Sequence, residues 1–257
     1  MIFDTHAHYD DEAFNDDRQE LLNSLEEAGI GAVVNVGASI QSTKNTLELI
    51  KQYPFIYGAV GVHPSEAAEL NEDLLSWLRH VAGKERVVAI GEIGLDYYWK
   101  EPEPEIQKHW FVRQLDVARQ VKLPVVIHSR DAAKDTLDIM KAEKAQELGG
   151  VIHCFSYSVE MAREYLNMGF YLGIGGVVTF NNAKKLKEVV EYMPLDRLVL
   201  ETDCPYLSPV PLRGKRNSSL NLPHVVTAVS QLKGVPEEAV LEAAWENANA
   251  LYRLNRH

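Results

Sequence analysis

The 257-residue chain carries 37 acidic and 26 basic side chains, a net charge of −11, with 46% hydrophobic and 25% charged residues. Such proportions belong to a globular protein with a sizeable core. The acidic balance argues against a broad non-specific nucleic-acid binder, whose affinity comes from neutralising many phosphates. Cys154 and Cys204, without a CxxC pattern, suggest neither a disulfide framework nor a thiolate zinc site. With no basic leader ahead of an apolar stretch and no apolar run of ~18 residues, a cytoplasmic protein with no membrane partner is expected.

Eight short apolar runs recur along the chain: "IFDTHAH", "GAVVNVGA", "FIYGAVGVHP", "VVAIGEIGLD", "LPVVIHSR", "GGVIHCF", "FYLGIGGV" and "LVLETDCP". They are nearly continuous and rich in Val and Ile, as parallel strands buried on both faces are. Amphipathic stretches separate them, among them "DDRQELLNSLEEAG", "EIQKHWFVRQLDVARQ", "SRDAAKDTLDIMKAEKAQELGG", "VEMAREYLNMG" and "NAKKLKEVVEYMP". Eight β units alternating with helices and no linker predict an α/β fold, a (β/α)8 TIM barrel, as one domain over residues 1–257. A doubly wound open sheet is the runner-up. After the eighth run come a loop, "SPVPLRGKRNSS", and two helices. Pro236 is suited to the first position of the second helix. Its Leu241, Trp245, Ala248 and Leu251 form one apolar face against the barrel.

In such a barrel the functional face is the C-terminal end of the strands. There the runs place His6, His8, His63, Glu92, His128, His153 and Asp203, seven ionisable side chains from six strands. Residues i and i+2 of a strand point to the same side. His6 and His8 therefore present two imidazoles toward the axis, and with the other histidines and carboxylates they form a pocket suited to divalent metal. An unpaired Glu92 would be costly to bury at the end of an apolar strand, and a cation removes that cost. His63 reads equally as a substrate contact or a structural histidine. Glu201 fits a ligand, an orienting partner of a ligand or a salt-bridge partner, and the second is favoured. Cys154 and Cys204 are expected to be buried, pointing away from the centre.

The stretches "DTHAH", "GVHP", "GEIGLDYY", "PVVIHSR", "HCF", "ETDCPYL" and "RGKRN", in this order and spacing, resemble the TatD family of metal-dependent hydrolases, described as deoxyribonucleases in the amidohydrolase-like barrel group. The resemblance runs from Met1 to about Leu254. It implies metal ligands at His6, His8, Glu92, His128, His153 and Asp203, with Glu92 bridging two divalent cations. It departs at Ser218 and Ser219, where the family commonly continues with Glu-Pro.

Paired divalent ions (Mg2+, Zn2+ or Mn2+) can activate water and stabilise attacking and leaving oxygens. The expected reaction is hydrolysis of DNA phosphodiesters at strand ends or in single strands, with Asp203 as ligand and general base beside Glu92. No GxSxG elbow, P-loop or GxGxxG pattern is present, which argues against a serine nucleophile and a nucleotide cofactor. Arg130, Arg213, Lys215 and Arg216 are expected to rim the mouth and contact DNA. Tyr97, Tyr98, Trp99 and Phe155 are candidates for stacking on exposed bases. Two rivals are a hydrolase of a carboxylic ester or amide, such as a tRNA-linked ester, and a non-catalytic binding barrel.

Overall fold

Each apolar run becomes a strand of one parallel sheet whose eight members neighbour one another in chain order. The computed structural model describes residues 1–254, and the last three positions of the expected domain, 255–257, lie outside the described residues. The strands are β1 (Ile2–Ala7), β2 (Ile30–Val36), β3 (Ile56–Val60), β4 (Val87–Asp96), β5 (Val125–Arg130), β6 (Gly150–Ile152), β7 (Tyr171–Ile174) and β8 (Leu198–Leu200). Between them run α1 (Arg18–Leu25), α2 (Ile40–Gln52), α3 (Glu72–Ala82), α4 (Pro104–Val121), α5 (Ala133–Ala142), α6 (Val159–Asn167) and α7 (Lys184–Tyr192). Two more, α8 (Leu222–Lys233) and α9 (Glu237–Tyr252), follow β8. None of the described helices is long and apolar enough to cross a membrane.

The barrel closes where β8 meets β1. Asp203 N donates to His6 O and His8 N to Cys204 O, both at 2.9 Å. Thr5 Oγ1 donates to Leu200 O at 3.0 Å, so the seam continues below the ligands. Asp4, fully buried, fastens it from within. Its Oδ1 accepts from Thr202 N at 3.0 Å and its Oδ2 from Thr202 Oγ1 at 2.7 Å and Ser219 Oγ at 2.6 Å. Burial pushes this carboxyl up to about 7, against the opposing pull of those hydrogen bonds.

Side chains from the strands fill the barrel in two shells. The larger cluster lies between strands and helices; the smaller joins Phe3, Ala32, Val34, Ala59, Val126, Val151 and Val199 to Ala248, Leu251 and Tyr252 of α9. Helix α9 therefore plugs the N-terminal mouth. Trp245 lies 5.6 Å from Phe3, ring to ring, and Tyr252 Oη donates to Thr5 O at 2.8 Å. Pro236 sits one place earlier than expected: it caps α9 with ψ 151, and the helix begins at Glu237. With one end sealed, chemistry is confined to the other.

Replacing Asp4 with Ala strips Thr202 and Ser219 of their acceptor, at ~1–3 kcal/mol for each buried group left unpaired. Asp4→Asn should keep most of the stability, because the hydroxyls facing Oδ2 can turn and accept from an amide. Urea midpoints of the two variants are expected to differ in that order; equal losses would mean that the negative charge itself holds the seam.

Candidate metal centre

The site is built around Glu92, midway along β4 and 3% exposed. Its Oε1 lies 2.7 Å from both His128 Nδ1 and His153 Nε2. Its Oε2 lies 3.4 Å from His6 Nε2 and 3.6 Å from His8 Nε2. Asp203 Oδ1 completes the second group, 3.6 Å from His6 Nε2 and 3.4 Å from His8 Nε2. The donors thus fall into two sets, His6–His8–Asp203 and His128–His153, with Glu92 touching both.

Ring nitrogens approach one another as closely as they approach the carboxylates. His6 Nε2 and His8 Nε2 are 3.0 Å apart, and His128 Nδ1 and His153 Nε2 3.1 Å. His8 Nδ1 donates to Val36 O at 2.8 Å, so in the neutral ring Nε2 carries a lone pair aimed at the centre. His128 is turned the other way: Asp96 Oδ2 holds its Nε2 at 3.0 Å, and Nδ1 faces Glu92. Lone pairs crowded at this spacing repel unless a proton or a cation lies among them. Donors ~2.1 Å from one ion stand ~3.0 Å apart at octahedral corners and ~3.4 Å apart at tetrahedral ones, so the spacing suits a shared divalent ion. The donor set fits divalent metal.

Electrostatics agree. Burial alone would raise Glu92, but the imidazoles of His153, His63 and His6 and the hydrogen bond from His128 hold it well below the usual carboxylate range. Burial opposes ionisation of Asp203 as well, and His8, His153 and His6 overcome it, so its carboxyl is lowered. Against its own burial, His8 is pushed up to about 9 by Asp203, Glu92 and Asp10. Burial and the neighbouring imidazole of His153 lower His6 instead, so the cluster pairs charged carboxylates with both neutral and proton-binding rings, a polarity suited to a cation.

His63 plays a different part. Three residues beyond β3, its Nδ1 accepts from Ser65 N at 3.1 Å and caps the short helical turn Pro64–Glu69. In the neutral ring the proton therefore sits on Nε2, 3.8 Å from Glu92 Oε1. Burial, with His128 beside it, lowers His63 to about 3 and keeps it neutral. His63, Glu92 and His128 are close enough to share an ion, but a nitrogen carrying a proton is a donor rather than a ligand.

Two strands stop short of their expected ends. β6 ends at Ile152 and β8 at Leu200, so His153 and Asp203 lie beyond them. The chain turns through left-handed backbone at Cys154 (φ 46) and Asp203 (φ 55). Cys204 is buried as expected. Cys154 is only partly buried, and burial with the charges of Asp203, Glu201 and Glu92 pushes its thiol well up, so it stays protonated.

The rim needs larger corrections. Phe155 is 2% exposed, packed against Tyr157 and Tyr165, and Tyr97 packs half-buried against the core with its hydroxyl donating to Asp135 at 2.8 Å, so neither ring presents a free face. Tyr98 and Trp99 are 55% and 54% exposed, with the Arg130 guanidinium 3.7 Å from the Tyr98 centroid. Arg216 is exposed and lines the cavity beyond β8 with Arg213 and Lys215, but it is also bound to both oxygens of Asp17 at 2.7 and 2.5 Å and to Ala13 O at 2.7 Å. Arg213 lies 4.0 Å over Phe180 and, with Lys215 and the exposed Tyr206, lines that cavity of about 970 Å³ in the loop after β8.

Asp96, Phe180 and Tyr206 are not singled out by the sequence. Asp96 had a signal: it stands four residues after Glu92 on one strand, hence on the same side.

A parallel (β/α)8 barrel with an imidazole–carboxylate cluster at the C-terminal mouth defines a metal-dependent hydrolase. The chain belongs to the TatD family, described as TatD related DNase, which matches residues 3–253. An uncharacterized metal-dependent hydrolase of Bacillus subtilis, YabD, is 44% identical over 99% of this chain and 100% of its own. A protein of Cronobacter sakazakii named 3'-5' ssDNA/RNA exonuclease TatD is 35% identical, covering 99% of this chain and 98% of its own. The crystal structure of the TatD homolog YjjV from Escherichia coli superposes with a TM-score of 0.92 at 29% identity, over 98% of both chains.

If each set holds an ion, replacing His6 and His8 together should lower the metal content and leave the site of His128, His153 and Glu92 filled. Elemental analysis of the folded variant measures this directly, and unchanged metal content would refute the assignment.

Proposed function

We propose that the protein hydrolyses phosphodiester bonds at the ends of single-stranded nucleic acid, DNA foremost, with two divalent ions in the centre described above. The observation that carries this reading is the pairing of aromatic rings with cations at the end of β5 and in the loops that follow β4, β7 and β8, where Tyr98, Trp99 and Tyr206 are exposed and Phe180 is buried beneath Arg213. Arg130 with Tyr98 and Trp99 lies on the β4–β5 side, and Arg213 with Phe180, Lys215 and Tyr206 beyond β8. Rings stack on unpaired bases without regard to sequence, and the cations track the backbone. The Cronobacter relative's name, a single-strand exonuclease, supports the same substrate class.

Divalent ions held by His6, His8, Glu92, His128, His153 and Asp203 supply, when bound, activation of water and neutralisation of the phosphodiester charge. The chain supplies the rest. Asp203, kept a carboxylate at neutral pH by His8, His153 and His6 against its burial, takes the proton that water releases. His63 Nε2–H donates to an anionic oxygen of the substrate, and its neutrality keeps that proton in place across the working pH range. Net charge −11 disfavours a long contact with duplex, and a short contact at a strand end avoids it.

A panel of end-labelled single strands, duplex, aminoacyl-tRNA and a chromogenic phosphodiester tests the reading, in Mg2+, Mn2+ and Zn2+. Stepwise release of nucleotides from single strands is expected. Cleavage of the tRNA ester with intact strands would overturn it in favour of a carboxylic-ester hydrolase. On the same panel Asp203→Asn should lose ~10²–10⁴-fold in rate, with the His128–His153 ion retained. Near-normal turnover by the folded variant would remove Asp203 from the mechanism.

Neutralising Arg213 and Lys215 should weaken single-strand binding and reduce its salt slope by about 1.4, at ~0.7 for each phosphate no longer neutralised. Hydrolysis of the chromogenic diester should barely change. Neutralising Arg216 should instead lower stability, because its partner is Asp17. An unchanged salt slope in the double variant would remove both residues from the substrate path.

A further inference from the structure

Every imidazole that offers one nitrogen to a metal must do something with the other, and a fixed partner there sets tautomer and orientation. Val36 O does this for His8, and Asp96 for His128. His6 and His153 both turn Nε2 toward Glu92, at 3.4 and 2.7 Å. Their Nδ1 atoms are buried side-chain atoms without a hydrogen-bond partner among the described residues. A third such atom is Glu201 Oε2.

These three unpaired groups belong together. One ligand atom from each of His6, His153 and Glu201 lies within 4.8 Å of the others. His153 Nδ1 is 3.8 Å from Glu201 Oε1. The His6 and His153 rings stack, centroids 3.9 Å apart at 14°, and so present their edges to a common neighbour. Glu201 is 1% exposed, and Cys154 N donates to its Oε1 at 2.5 Å. No Lys or Arg pairs with it among the described residues. A Cβ on Gly173 would come 2.1 Å from Glu201 Oε2, so β7 is cleared at this position for the carboxylate. Burying an anion without a cation is costly unless hydrogen bonds repay it, and the donors within reach are the two imidazoles.

We propose that Glu201 is a positioning residue shared by both halves of the metal centre: its carboxylate receives Nδ1–H from His6 and from His153 and thereby aims both Nε2 atoms at the metals. It touches neither substrate nor metal. The inference rests on the two-metal reading of the site. Its consequence is specific: one carboxylate sets a ligand of each metal position, His6 in one set and His153 in the other. Removing a ligand empties one position, whereas removing the positioning charge weakens both.

Two measurements test it, with zinc as the probe. In the zinc-loaded wild type, nitrogen-15 spectra of the imidazoles should show protons on Nδ1 of both His6 and His153. Competition with a chelator should then show Glu201→Gln binding zinc ~10–100-fold more weakly at both positions. The metal-free variant should melt within a few degrees of the wild type, because shape and one acceptor oxygen are kept. Loss at one position alone, unchanged affinity with reduced stability, or an unprotonated Nδ1 on either ring would overturn the proposal. If the variant fails to fold, the wild-type spectra decide. A wild type that binds no zinc would overturn the metal reading itself; two tightly held ions in both proteins would overturn only the role of Glu201.

Discussion

Glu92 is a carboxylate placed where a barrel normally packs aliphatic side chains, and the rest of the mouth answers to it. Its two oxygens meet His128 and His153 on one side and His6 and His8 on the other. Alone, such a group would neutralise or destabilise the fold. Surrounded by imidazoles, it is kept ionised and becomes the point at which two donor sets join. The same surroundings make the pocket a good place for a cation, to which neutral imidazoles can turn their lone pairs.

Holding those donors still is the work of the surrounding shell. Asp4 ties β1 to the segment after β8, which places His6, His8 and Asp203 at one height on either side of the seam. Val36 O and Asp96 fix two rings from opposite directions. Helix α9 closes the far end with Trp245 and Tyr252. Rigid elements of this kind give a site its precision, and the loops beyond them are left to meet substrate.

How much of this was legible in the sequence follows from what a sequence encodes locally. Val- and Ile-rich runs at even spacing carry the barrel, because parallel strands buried on both faces need them. The i, i+2 spacing of His6 and His8 carries the first two donors. Positions that depend on backbone leaving a strand are less visible. His153 and Asp203 lie past the ends of β6 and β8, at turns that only left-handed backbone at residues 154 and 203 makes possible. Pairings between distant segments are invisible: Arg216 looks like a free cation until Asp17, 199 residues away, is beside it. Phe155 likewise looks available until Tyr157 and Tyr165 cover it.

The acidic body and the cation-seeking mouth are two sides of one arrangement. On the proposed reading, a net charge of −11 would repel a polyanion except where divalent ions and the Arg130 and Arg213 loops would reverse the sign. The central claim is that Glu92 joins two ions, and anomalous diffraction from crystals loaded with manganese tests it most directly. The account predicts two peaks flanking the Glu92 carboxylate, ~3.5–4 Å apart, one against His6, His8 and Asp203 and the other against His128 and His153. A single peak, or peaks that do not share Glu92, would contradict it.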